Sequence, residues 1–118
     1  MNGVGTDIIE IDRIRAAICK PAFVRRVYTE AERNWLDSRG QNAAQSAAGL
    51  FCAKEAVSKA LGTGFQNGLS FQDIEIGHSE LGAPIVLRPA GQFLLSISHC
   101  QTYAVATAIY LGEKEESV

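Results

Sequence analysis

The chain has 118 residues, of which 47% are hydrophobic, 20% charged and 8% aromatic. That length supports one domain around one core, and that composition excludes the disordered, collagen-like and disulfide-dense classes. Eleven bases against thirteen acids give a formal charge of −2, which excludes a polycationic binder of nucleic acid.

The signs are unevenly placed. Arg13, Arg15, Lys20, Arg25 and Arg26 follow one another with no acid between them, whereas residues 71–118 carry six acids against Arg88 and Lys114. The basic stretch offers an acidic partner a docking surface. No apolar run approaches the ~20 residues of a membrane span, and Asp7 and Glu10 fall where a leader needs a basic start and an apolar stretch. The expectation is a cytoplasmic protein without membrane contact. Cys19, Cys52 and Cys100 are odd in number and widely spaced, which predicts reduced core cysteines rather than a disulfide framework or a zinc site.

In chain order, Val4 to Ile11 is rich in β-branched residues and reads as a first strand with Asp7 near its middle. Ile11, Ile14 and Ile18 then fall at helical spacing, and the helix ends before Pro21. Phe23, Val24 and Val27 mark a second helical turn. Thr29-Glu30-Ala31-Glu32 matches a capping box and starts a helix that Gly40 ends. Asn42 caps the longest helix, about five turns, which carries Ala44, Ala47, Ala48, Phe51 and Leu61 and stops at Gly62-Thr63-Gly64. Strand patterns follow at Leu69 to Ile76, Pro84 to Leu87, Leu94 to Ser98 and Tyr103 to Tyr110. One strand, then helices, then a run of strands predicts an α+β fold with an antiparallel sheet packed on a long central helix. Residues 1–112 form the single domain, and 113–118 read as a loose, charged tail.

Asp7 sits in an apolar context, where a carboxylate needs a cation, several donors or a turn to cap. On the long helix a 100° step puts Phe51, Cys52, Glu55 and Lys59 on one face. Glu55 and Lys59 form either a simple helix pair, with Lys54 solvated, or a charged rim on a cleft; their apolar company favours the rim. A carboxylate from a strand, another from a helix and a lysine one turn further on suit a hard divalent cation and a phosphorylated substrate. The Gly62-Thr63-Gly64 loop permits close backbone approach but also serves as a helix C-cap. Ser96-Ile97-Ser98-His99 ends a strand without a nucleophile elbow, leaving catalysis, phosphate binding or a plain turn open for His99. His78 reads as an exposed loop residue.

Four segments together resemble a known family. Val4-Gly5-Thr6-Asp7-Ile8, the Phe51-x-x-Lys54-Glu55-Ala56-x-x-Lys59-Ala60 helix running into Gly62-Thr63-Gly64, Leu69 to Ile76, and Ser96-Ile97-Ser98-His99 are similar to the 4′-phosphopantetheinyl transferases, in their short bacterial holo-acyl-carrier-protein synthase group. The resemblance spans nearly the whole chain. It implies transfer of phosphopantetheine from coenzyme A to a serine of an apo acyl carrier protein, with Mg²⁺ and release of adenosine 3′,5′-bisphosphate, in fatty acid and lipid biosynthesis.

Carried over by position, Asp7 and Glu55 match metal ligands and, with Lys59, the catalytic set. Lys59 also matches a pyrophosphate contact, and His99 a residue near the nucleotide. Gly62, Gly64 and Ser98 fall to the coenzyme A site on the same basis. Arg13, Arg15, Arg25 and Arg26 match the docking surface for an acidic carrier. The resemblance further implies a homotrimer with the site between subunits. The chain departs from the family at Leu50, where an arginine is common, and in a short segment from Gly82 to Leu94. The rival from another class is a silent carrier-protein or nucleotide-binding module on the same scaffold, against which the joint presence of Asp7, Glu55 and Lys59 argues.

Overall fold

Glycine decides how the first strand meets the longest helix. The computed structural model describes residues 2–66 and 68–113, and begins with β1 (Gly3–Glu10), followed by α1 (Ile11–Ala17), α2 (Pro21–Val27), α3 (Glu30–Asp37) and α4 (Ala43–Ala60). A Cβ on Gly3 would run into the carbonyl oxygen of Ala60, and one on Gly5 into that of Ala56. Glycine at both positions lets β1 lie directly on the α4 backbone. That contact puts Asp7 beside α4.

The remaining strands are β2 (Glu75–His78), β3 (Pro84–Arg88), β4 (Gln92–His99) and β5 (Tyr103–Gly112). The expected α+β architecture is present, with two antiparallel sheets in place of one: β1-β5-β4 and β2-β3. In the larger sheet Asp7 pairs with Ala106, which pairs with Ile97. Its inner face is small: Ala104, Ala106 and Ala108 are buried against α4, whose own Ala47, Ala48, Ala53, Ala56 and Ala60 are buried too. Alanine against alanine brings helix and sheet close and leaves little tolerance for larger side chains. Ile11 and Ile14 of α1 complete the core, each stabilising by about 1.5–3 kcal/mol, more than a seven-residue helix gains from propensity.

Some local expectations change. Leu69 to Ile76 is not one strand: a turn of 3₁₀ helix at Phe71–Asp73 precedes β2. The Asp73 carboxylate accepts from the Ser70 amide (2.8 Å) and hydroxyl (3.1 Å), so a capping box bends the chain where β-propensity alone reads it as straight. α3 stops at Asp37, and a 3₁₀ turn at Gly40–Asn42 leads into α4 without an Asn42 side-chain cap. Of the cysteines, Cys52 alone is in the core; Cys19 and Cys100 are exposed. No helix among the described residues is long and apolar enough to cross a membrane. The expected tail lies outside the described residues except for Glu113.

Lys54 is not solvated. Its Nζ lies 2.6 Å from Glu32 Oε1, with neither side chain exposed. Glu32 also accepts from the Thr29 amide (2.9 Å) and the Ile76 amide (2.8 Å), so one carboxylate joins α3, α4 and β2. Burial pushes the Lys54 pKa down and Glu32 opposes the shift. The pair fixes the rotation of α4 about its axis, and with it the direction of Glu55.

Candidate active site

Alternation along β1 directs Gly5, Asp7 and Ile9 toward α4 and sends Thr6 to the outer face. The Asp7 side chain is 18% exposed, and Lys59 Nζ stands 3.4 Å from its Oδ1 while donating to the Thr6 carbonyl at 3.0 Å. The ammonium is thus held at the mouth of the site with half its side chain in solvent. One turn back along α4, Glu55 is partly buried. Burial, then the negative charge of Asp7, raises its pKa, and Lys59 opposes the rise.

Cys52 closes the inner wall. Its thiol donates to the Ala104 carbonyl at 3.4 Å, and burial, then the charge of Asp7, pushes its pKa up to about 12. It remains a neutral thiol at physiological pH, neither a nucleophile nor a soft metal ligand. Among the described residues no three His, Cys, Asp or Glu side chains gather as a metal-binding group. Two neighbouring carboxylates, Glu55 with its charge disfavoured by Asp7, backed by a lysine, fit a hard cation such as Mg²⁺, which takes few carboxylates and keeps several waters.

His99 lies apart from this cluster. Ile97 and His99 point to the inner face, where they line a cavity of about 480 Å³ with Trp35, Arg39, Leu50 and His78. This cavity shares no residue with the carboxylate cluster. His78 is not a free loop residue: its ring stacks on Trp35 at 4.1 Å, and burial, then Arg39, pushes its pKa down. Leu50 is 1% exposed in the cavity wall, while Arg39 supplies a cation at the rim, 5.1 Å from the Trp35 ring. Ser98 projects from the opposite sheet face, so Ser98 and His99 form no pair within the chain.

Gly62 and Gly64, at φ 89° and 58°, wrap the α4 C-terminus just beyond Lys59; the Gly62 amide donates to the Lys59 carbonyl (2.9 Å) and the Gly64 amide to the Ser58 carbonyl (3.0 Å). They are C-capping residues whose left-handed backbone suits glycine. Arg13, Arg15, Arg25 and Arg26 are exposed on α1 and α2. Arg15 pairs with Asp12 at 3.3 Å, which partly offsets its charge. Glu32, Trp35, Arg39 and Gln72 are absent from the sequence-derived set; Glu32 shows there only as the third position of a capping box.

Comparison with known proteins places the chain in a family. The profile of the 4′-phosphopantetheinyl transferase superfamily matches residues 3–108. A holo-[acyl-carrier-protein] synthase of Caldanaerobacter subterraneus subsp. tengcongensis is 45% identical, covering 92% of this chain and 94% of its own. The synthase of Fusobacterium nucleatum is 42% identical, covering 92% and 98%. Among solved structures, the Bacillus anthracis synthase in complex with CoA (3′,5′-ADP) superposes with a TM-score of 0.86 at 39% identity, covering 96% and 97%. The Helicobacter pylori synthase in complex with coenzyme A gives 0.81 at 32% identity, covering 91% and 98%. The chain therefore belongs to the 4′-phosphopantetheinyl transferase superfamily, in its holo-[acyl-carrier-protein] synthase group.

Proposed function

We propose that the chain transfers 4′-phosphopantetheine from coenzyme A to a serine of an apo acyl carrier protein, in a Mg²⁺-dependent reaction. The observation that carries the reading is the cluster of Asp7, Glu55 and Lys59 at the contact of β1 with α4. The carrier's serine oxygen bonds to the phosphorus next to pantetheine, and the bond to the bridging oxygen of the pyrophosphate breaks, releasing adenosine 3′,5′-bisphosphate. Asp7 and Glu55 would hold the metal, which supplies charge neutralisation at the pyrophosphate when bound. Lys59 adds positive charge at the same place, held in advance by the Thr6 carbonyl and Asp7. The serine proton passes to Glu55 or to a water ordered by Asp7.

The cavity containing His99, Arg39 and Trp35 suits the nucleotide end of coenzyme A, with Gly62 and Gly64 beside the pyrophosphate and Ser98 reached from a neighbouring copy. Arg13, Arg15, Arg25 and Arg26 receive the acidic carrier and chiefly raise its association rate. A homotrimer with the site between subunits is supported by the outer sheet face, where Val4, Ile8, Leu94 and Tyr103 are large, apolar and exposed. The setting is cytoplasmic lipid and fatty acid biosynthesis.

The test is the intact mass of an apo carrier protein after incubation with this protein, coenzyme A and Mg²⁺, with and without chelator. A chelator-sensitive gain of one phosphopantetheine arm on the carrier serine is expected. No gain with several carriers, despite coenzyme A binding, replaces the reading with a silent binding module.

A further inference from the structure

α2 carries Arg25 and Arg26 in its last turn, and at seven residues it is too short to stand by itself. Its C-terminus also lacks the usual stop. No glycine follows, and Tyr28 is already extended at φ −107°, ψ 136°. The last carbonyls of such a helix need donors from elsewhere. The Tyr28 carbonyl accepts from Arg33 Nη1 at 2.6 Å, and those of Arg25 and Arg26 depend on Gln72, far along the chain: its Nε2 lies 2.9 Å from the Arg25 carbonyl, 3.2 Å from that of Arg26 and 3.0 Å from that of Tyr28. Two amide protons serve three acceptors, two of which belong to the docking arginines themselves.

Gln72 is itself fixed. It lies in the Phe71–Asp73 turn, which the Ser70 and Asp73 capping box closes, and Arg88 Nη2 donates to its backbone carbonyl at 3.2 Å. The Gln72 side chain is exposed, so its purpose is not to fill the core. The rest of α2 has other anchors: Pro21 at its start, buried Val27, and the Tyr28 hydroxyl donating to the Ala47 carbonyl at 2.8 Å. Loss of the Gln72 amide therefore frays the final turn while the helix stays docked.

We infer that Gln72 is a positioning residue for carrier recognition, its amide capping α2 so that Arg25 and Arg26 face an acidic partner. The inference rests on the reading that these arginines receive the carrier. Neither arginine has an ion-pair partner within 4 Å among the described residues, so both remain available to one. Arg26 is steadied by its guanidinium lying 5.8 Å from the Phe23 ring.

The experiment is steady-state transfer by Gln72→Ala and by Gln72→Met, which keeps length and loses the donor, with carrier and coenzyme A titrated separately. The expected result is a KM for carrier raised roughly three- to tenfold, with kcat and the KM for coenzyme A within about twofold of the parent. Amide exchange should quicken at residues 25–28 only. A paired Arg25→Glu, Arg26→Glu variant should raise the carrier KM further, and adding Gln72→Ala to it should change nothing more, because the cap then positions nothing useful. If the arginine variant raises the carrier KM and neither Gln72 variant does, the positioning role is overturned and the docking surface stands. If the arginine variant leaves it unchanged, the docking reading fails and the inference with it. A fall in kcat at unchanged carrier KM also overturns the role.

Discussion

The Lys54 ammonium and the Glu32 carboxylate meet at 2.6 Å with no solvent on either side chain. Cutting one member leaves the other charged and buried, so Lys54→Ala should cost about 3–5 kcal/mol, read by denaturant unfolding. Lys54→Met with Glu32→Leu should recover most of that loss. A Lys54→Ala variant as stable as the parent contradicts the pairing.

Asp7→Ala and Glu55→Ala should each lower kcat by about a hundredfold or more with the circular dichroism spectrum unchanged. Glu55 carries a second consequence through its pKa. Its folded-state value lies above the unfolded one, so protonation favours the fold, and this stabilisation is lost as pH rises through the folded value. Glu55→Gln should therefore raise the melting temperature at neutral pH while abolishing transfer.

Gly5→Ala places a methyl group against the Ala56 carbonyl oxygen and the Lys59 Cβ. Backbone cannot swing aside as a side chain can, so destabilisation should reach or exceed about 3 kcal/mol. Because the same shift carries Asp7 away from α4, kcat should fall in the fraction that remains folded. Activity assayed well below the melting temperature separates the two effects.

The three cysteines should react in a fixed order with a thiol reagent. Cys100 is exposed, and the Tyr103 amide, then that of Thr102, holds its pKa below the usual thiol value. It should label first, and Cys52 should label only on unfolding, since burial keeps its thiol protonated and closed off. Peptide mass mapping over time checks the order; early labelling of Cys52 contradicts the packing of α4 on β5.

Much of the site was legible because local rules carry it. Asp7 was visible as an acid in an apolar strand, and a 100° step per residue put Glu55 and Lys59 on one face. The register of β1 on α4 came from Gly3 and Gly5, which sequence marks only as permissive. The partner of Lys54 is invisible in the sequence because it lies on another helix, and no spacing rule links position 32 to 54. Leu69 to Ile76 was misread because its β-propensity concealed the Ser70 and Asp73 cap. The cavity was illegible for the same reason as the ion pair: Trp35, Leu50, His78 and His99 meet only after α3, α4 and both sheets have packed.

Successive positions of α4 answer to different neighbours: Ala47 to Tyr28, Leu50 to the cavity, Phe51 to Phe23 and Phe71, Lys54 to Glu32, Glu55 to Asp7 and Ala60 to Gly3. Inserting or deleting one residue within it would turn everything downstream by about 100°. Glu55 would then leave the site, and Lys54 would lose Glu32. The reading frame of this helix is therefore the least negotiable property of the chain, and changes of length belong outside it.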